Sequence, residues 1–284
     1  MPAADGKSIT MPCACCSGTK FKPALVCEGF SFVRCASCGL VQRNPQPLRE
    51  EITARYSKMF GDDYLSYELK NEDAFLKLQQ LALIDAGFEE LENKLFSACG
   101  QDGGNAPSVL DIGCATGALL SDLSSRGWCV TGVEISPCAE YARNTRKLDV
   151  RNVPLEENKF SDNSFDVVLA SHLIEHLNDP QIFLAEIRRI LKDNGFCFIT
   201  TPNINGFQAR LFGSRWRSAI FDHLYLFSDV TLSRMLKNAG FKIESINTWG
   251  GLAAGAAPRL LKKTADFLAK RLGFGDVMIM RIGK

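Results

Sequence analysis

No stretch of this 284-residue chain approaches about 18 uninterrupted apolar residues, which leaves no candidate for a membrane-spanning helix. Its first residues, Met1-Pro2-Ala3-Ala4-Asp5-Gly6-Lys7, lack the apolar run of an export signal. A cytoplasmic, soluble protein is therefore expected. Charge of one sign is missing too. With 33 basic and 32 acidic side chains the formal net charge is +1, so the total gives no reason to expect a nucleic-acid partner. The charge is unevenly spread: residues 203–284 carry 13 basic and 5 acidic groups, net +8. The loop at residues 113–118 departs from G-x-G-x-x-G, because Ala115 and Ala118 stand at its second and third glycine positions and leave only two glycines, Gly113 and Gly117.

Cysteine is what the chain has in quantity, 11 residues. Without an export signal these predict reduced thiols and metal rather than disulfides. Cys13/Cys16 and Cys35/Cys38 form two C-x-x-C pairs with 18 residues between them, a spacing that predicts a four-thiolate zinc site. Phe21 to Val33 between them has hairpin character, and Gly39 supplies a tight turn. Cys15 competes with Cys16 as the ligand, whereas Cys27 reads as a free thiol. Four thiolates leave no open position for water, so the zinc is expected to be structural. The chain divides on this reading into a zinc ribbon (1–45), a helical lid and linker (46–106) and an α/β domain (107–284). Asn44-Pro45-Gln46-Pro47 connects the first two. Apolar positions such as Phe75, Leu78, Leu81, Ala82 and Phe88 recur at helical spacing in the second.

The third division is organised around Val109-Leu110-Asp111-Ile112-Gly113-Cys114-Ala115-Thr116-Gly117. It reads as a buried strand ending in an acid, then a glycine-bearing turn, then a helix start, the junction at which a parallel sheet places its first ligand loop. Asp111 two residues before the first glycine suits an ammonium group better than a pyrophosphate. Glu134 ends the next strand, 23 residues on, near the roughly 20 expected of an acid that holds ribose hydroxyls. Ser136 is placed as N-cap and Pro137 as first residue of the following helix. Phe165 to Ser171 and Phe196 to Asn203 are further strands.

In order and spacing, DIGCATG, VEIS, FDVV, SHLIEHL, ILKDNG and FITTPN resemble the class I S-adenosylmethionine-dependent methyltransferases across residues 107–250. The resemblance implies a Rossmann-like, doubly wound, seven-stranded, mostly parallel α/β sheet with its last strand antiparallel. It implies S-adenosylmethionine as cofactor, its methionine end near Asp111, Gly113, Cys114 and Gly117 and its ribose near Glu134 and Ile135. An adenine contact is expected near Glu156, and Ser171 completes the set. Helices before the first strand form part of a lid in similar proteins, so Tyr56, Tyr64 and Tyr67 are candidates to face the pocket.

In Ser171-His172-Leu173-Ile174-Glu175-His176-Leu177, a helical turn would put His172, Glu175 and His176 on one face. The E-H pair resembles that of ubiquinone-type O-methyltransferases. Three readings stay open: a general base, with His172 the candidate catalytic residue; a divalent ion on Glu175 and His176 that acidifies a substrate hydroxyl; or Glu175 and His176 as polar braces of the loop. Residues 203–227 hold Phe207, Phe212, Trp216, Phe221 and Tyr225 interleaved with Arg215, Arg217 and His223, and read as a substrate lid. A second insertion, about 251–275, carries Leu260, Leu261, Thr264, Phe267, Leu268 and Leu272 beside Lys262, Lys263, Lys270 and Arg271. It reads as a docked surface helix rather than a membrane-surface one.

The function expected is methyl transfer to a small molecule: a quinone-like phenol, a lipid precursor or a sugar. No nucleic acid is expected. An RNA methyltransferase that grips with the ribbon and the basic C-terminal third is the first alternative. Against it, residues 1–106 as a whole are net acidic, with 11 basic and 14 acidic side chains, and Thr201-Pro202-Asn203 does not supply the N/D-P-P-Y/F motif of base-amino methyltransferases. A non-catalytic partner protein on the same fold is the second.

Overall fold

The computed structural model describes residues 8–54, 61–102, 105–250 and 269–284. Tyr56 and the stretch from Leu260 to Leu268 that sequence reads as an amphipathic helix lie outside the described residues.

Five short strands come first: β1 (Ser8–Ile9), β2 (Phe21–Cys27), β3 (Phe30–Cys35), β4 (Val41–Arg43) and β5 (Gln46–Pro47). β2 and β3 form the expected hairpin, turning at Gly29 with φ +81°. Three helices follow: α1 (Arg49–Ala54), α2 (Gly61–Asp85) and α3 (Phe88–Asp102). Of the apolar positions counted for them, Ala82 and Phe88 are buried, but Leu78 and Leu81 are about half exposed, at 51% and 49%. Helical spacing was right there and the buried stripe narrower than the apolar one, because only one side of α2 meets the sheet.

The remaining elements are β6 (Ser108–Ile112), α4 (Ala118–Ser125), β7 (Cys129–Val133), α5 (Cys138–Asn144), β8 (Val150–Arg151), β9 (Phe165–Ser171), α6 (Pro180–Ile190), β10 (Leu191–Pro202), α7 (Phe207–Phe212), β11 (Tyr225–Leu226), α8 (Asp229–Asn238), β12 (Lys242–Trp249) and β13 (Val277–Gly283). Seven of these strands form one sheet in the order β12-β13-β10-β9-β6-β7-β8. β8, β7, β6, β9 and β10 run parallel, and β13 is antiparallel to β10 and β12. This is the doubly wound, mostly parallel sheet with its last strand antiparallel that the motifs imply. The chain winds outward from β6 through β7 to β8, then returns to β9 on β6's other side. A crevice opens at such a switch point, beyond the C-terminal ends of β6 and β9.

Both faces of the sheet are covered, so its central strands are continuous apolar runs. Val109, Val167 and Phe198 pack with Ala82 of α2, Phe88 of α3 and Leu123 of α4. Their neighbours Leu110, Val168 and Ile199 point the other way, against Phe183 and Ile187 of α6 and Leu232 and Met235 of α8. Helix ends are set locally. Asp179 caps α6, its Oδ1 accepting from the amides of Gln181 and Ile182 at 3.0 Å each, with Pro180 in the first turn. Ser228 and Thr231 form a capping box on α8. At α5 the expected cap is one residue early: Pro137 occupies the N-cap position, and the Ser136 hydroxyl accepts from the Cys138 amide at 3.3 Å.

The small sheet at the N-terminus takes a strand from far along the chain. Its order is β11-β4-β3-β2, with Tyr225 opposite Gln42 and Leu226 opposite Val41. β1 and β5 pair separately, so the Asn44–Pro47 stretch read as a connector is partly strand.

Candidate active site

The loop after β6 is shaped by two left-handed glycines, Gly113 at φ +78° and Gly117 at φ +77°. A Cβ on Gly117 would also stand 2.6 Å from Leu148 Cδ1, so any other residue there strains the backbone and needs the Leu148 side chain to shift. Ala115 adopts φ +46° without that freedom. Its amide donates to Glu134 Oε2 at 3.0 Å, and the Ser136 amide donates to Oε1 of the same carboxylate at 2.7 Å. Glu134 therefore ties the ends of β6 and β7 together while still lining the crevice. Each carboxylate oxygen has a second lone pair to offer a ligand.

Asp111 is 2% exposed and does not line the crevice; it lies behind the loop. Burial, with Glu134 adding repulsion, pushes its carboxyl up to about 7. Two acids without a cation between them are a costly arrangement that a cationic ligand would relieve. Helix α2 closes this end. Glu72 accepts from the Thr116 hydroxyl and from Arg146 Nη2, both at 2.5 Å. Of the candidate tyrosines, Tyr64 and Tyr67 reach the same cavity, together with Glu68. The Glu68 carboxyl is raised by burial.

The cavity has a volume of about 900 Å³, at the upper end of the range for small-molecule and cofactor sites. Of the residues singled out in the sequence, Gly113, Cys114, Glu134, Ile135, Glu156, Ser171 and His172 all line it, whereas Asp111 and Gly117 stand behind.

Its other end begins at the tip of β9. His172 does not open a helical turn, because its φ is +52°; Ile174–His176 instead makes a single 3-10 turn. The tighter turn still brings His172 Nδ1 to Glu175 Oε1 at 3.3 Å. Glu175 is fully buried, and its Oε2 accepts from the Thr201 hydroxyl at 2.9 Å. Burial alone would raise this carboxyl. The bond to His172 and the fields of His172, His176 and His223 outweigh it and hold the group at about 2.

His223 arrives from the segment between α7 and β11. Its ring meets that of His176 edge-on, centroids 4.6 Å apart. His176 Nδ1 lies 3.0 Å from the Asp222 carbonyl and His223 Nδ1 2.8 Å from the Ser218 carbonyl. A carbonyl only accepts, so both rings donate from Nδ1. Burial, with the His176 field, pushes His223 down to about 4, so it is neutral at pH 7. A carboxylate oxygen of Glu175 and one nitrogen of each ring all lie within 4.8 Å of one another. His223, read as part of the 203–227 segment, is hydrogen-bonded within it. Its meeting with Glu175, and the part of Thr201, carried no signal in sequence spacing.

The four predicted zinc ligands gather apart from this crevice. The Sγ atoms of Cys13, Cys16, Cys35 and Cys38 lie within 4.8 Å of one another, with Cys13–Cys38 at 3.3 Å and Cys16–Cys35 at 3.6 Å. Zinc–sulfur bonds near 2.3 Å in a tetrahedron put sulfurs about 3.8 Å apart, so the set fits a zinc ion. All four are free thiols. Cys15 is buried beside them but outside the group. Among the described residues no helix is long and apolar enough to cross a membrane.

The sequence pattern of the methyltransferase domain family matches residues 74–246. The chain belongs to that family. Over 144 residues it is 29% identical to the ubiquinone biosynthesis O-methyltransferase of Rickettsia conorii, covering 49% of this chain and 46% of that protein. It is 32% identical over 118 residues to the enzyme of the same name from Cereibacter sphaeroides, covering 38% and 47%. The chain thus spans about half the length of the curated relatives it matches. Among solved structures it is similar to an S-adenosylmethionine-dependent methyltransferase of Thermotoga maritima, described as a possible histamine N-methyltransferase. There the identity is 22%, the coverage 74% of this chain and 97% of that one, and the TM-score 0.49.

Proposed function

We propose that this methyltransferase-family chain moves the methyl group of S-adenosylmethionine to a hydroxyl on a small molecule of the phenol, lipid-precursor or sugar class. One observation carries the reading. The Glu134 end and the His172–Glu175 end open into a single cavity, so a donor and an acceptor can face each other there. The relatives' names, as O-methyltransferases, favour oxygen as the acceptor atom.

The cofactor brings a methyl group already activated on a sulfonium, so the chain's task is to align and to exclude water. Asp111 would act through its field from behind the loop, offsetting the cofactor's positive charge. Glu134 would accept from the ribose hydroxyls, and Glu156 would serve the base. Helix α2, held by Glu72, would cover the donor. At the other end ionised Glu175 accepts the Nδ1 proton of His172, which leaves the lone pair on Nε2. That nitrogen would be placed to take the proton of an acceptor's hydroxyl, while the bound cofactor would supply the methyl group and leave with its sulfur neutral.

A second reading is favoured by the convergence of Glu175, His176 and His223. Backbone carbonyls fix the orientation of both rings through Nδ1, as they do around many metal ligands. A divalent ion there would acidify the hydroxyl in place of the base.

The test supplies purified protein with methyl-labelled cofactor and a cell extract, then partitions the extract into lipid, small polar, protein and RNA fractions. Label in the lipid or small polar fraction is expected. Label in RNA would overturn the small-molecule reading, and loss of transfer in a metal chelator that leaves the ribbon's zinc in place would favour the second mechanism.

A further inference from the structure

We propose that the zinc ribbon builds the acceptor end of the cavity, and that Arg43 is the positioning residue through which it holds His176 and His223. Strand β11 is the fourth strand of the ribbon's sheet, and the pairing continues past it, because the Arg43 amide donates to the Leu224 carbonyl at 2.8 Å. The Arg43 side chain then reaches into the 203–227 segment. It is 8% exposed. Its Nη1 donates to the Phe221 carbonyl at 2.7 Å, and its guanidinium lies 3.8 Å from the centre of the Phe221 ring. Phe30 of β3 stands edge-on to the same ring at 5.6 Å. Trp216 and Ala219 of the segment pack with Phe32 and Val41 of the ribbon.

The next residues along complete the path. The Asp222 carbonyl orients His176, Ser218 orients His223, and the Leu224 amide donates to the Glu175 carbonyl at 2.7 Å. Arg43 thus grips the residues immediately before and after the pair Asp222–His223. A charge-assisted bond combined with a stacked ring fixes a guanidinium in one plane, which an ammonium cannot reproduce. On the ribbon side, Phe32 stands opposite Arg43 across the β3–β4 pair, and Cys35 and Cys38 close that pair at its other end. The zinc site therefore sets the hairpin that carries Arg43. The cofactor end has no part in this: its residues belong to α2 and to the loops that follow β6, β7 and β8.

The proposal rests on the reading of the histidine end as the acceptor end. Its test reads the segment itself rather than methyl transfer, so the two can fail separately. The chain has 3 histidines, which keeps an imidazole nitrogen spectrum simple enough to assign. In zinc-loaded Arg43→Leu, amide exchange across residues 216–227 should quicken by about tenfold or more. His176 and His223 should lose their fixed Nδ1-protonated pattern while His172, held by Glu175, keeps it. Zinc content and S-adenosylmethionine affinity should stay within about twofold of the parent, and Arg43→Lys should restore the pattern in part. Unchanged exchange with unchanged His176 and His223 would overturn the proposal. So would loosening spread evenly through the chain with loss of cofactor affinity. Should Arg43→Leu lose zinc or fail to fold, Phe221→Leu removes the stacked ring from the other side and must give the same local changes.

Discussion

The two ends of the cavity are built in opposite ways. The end proposed for the cofactor is local: a strand, a turn of two glycines and the next strand's terminal acid, all within residues 109–136, with Glu134 bonded to the turn it faces. The end proposed for the acceptor is assembled from distant parts, Glu175 and His176 after β9, Thr201 on β10, His223 before β11 and, behind them, Arg43 of the ribbon. A site of the first kind is specified by a motif. One of the second kind is specified by the fold, and can change its acceptor without disturbing its donor.

Breaking the far end should have the largest effect. His172→Ala removes the base and should lower turnover by about 10²–10⁴-fold, with S-adenosylmethionine affinity unchanged in calorimetry. Full turnover in that variant would leave the divalent-ion mechanism in possession of the site.

Asp111→Asn probes the near end and should weaken cofactor binding by roughly 10–100-fold. Its pH dependence has a definite sign. Empty protein holds Asp111 protonated below about 7, while a bound cation favours the carboxylate, so binding releases a proton there. Cofactor affinity should fall as the pH drops below about 7 and level off above it. The asparagine variant should lose that dependence. The same raised value makes the charged acid a cost to the empty fold. Between the unfolded value of 3.8 and about 7 the native state binds the extra proton, so this cost is absent at low pH and fully present above 7. Asp111→Asn should accordingly raise the melting temperature of cofactor-free protein at pH 8.

The smallest expected effect sharpens the comparison. Gly117→Ala should cost about 1–3 kcal/mol of stability, from its left-handed backbone and the clash with Leu148, and denaturant unfolding measures it. Cofactor affinity should drop with it, while the His176 and His223 ring pattern stays as in the parent.

This contrast also explains what could be read from the residues alone. The seven-stranded sheet came from the family resemblance that the motifs carry; the strands on either side of the glycine turn, and the turn itself, were legible because apolar runs, glycines and strand-end acids recur at short, fixed spacings. The four cysteines were legible for the same reason. What escaped depends on contacts without a period. His172 adopts a left-handed backbone, so the helical face expected for it does not form. Nothing around Tyr225 announces that it will pair with Gln42, since two-residue strands leave no alternation to detect. Ser136 and Pro137 were misplaced by one position because either can precede a helix, and only the backbone decides.

The pairing of β11 with β4 joins residues about 180 positions apart. On a ribosome the N-terminal hairpins emerge early and can gather their thiols at once. The edge of β4 must nevertheless wait until most of the parallel sheet has been made before its partner exists. For that interval it is an unpaired strand edge flanked by apolar side chains, the kind of surface that recruits wrong neighbours. The rate of translation through residues 107–226 and the supply of chaperones would then govern yield more than the final stability does.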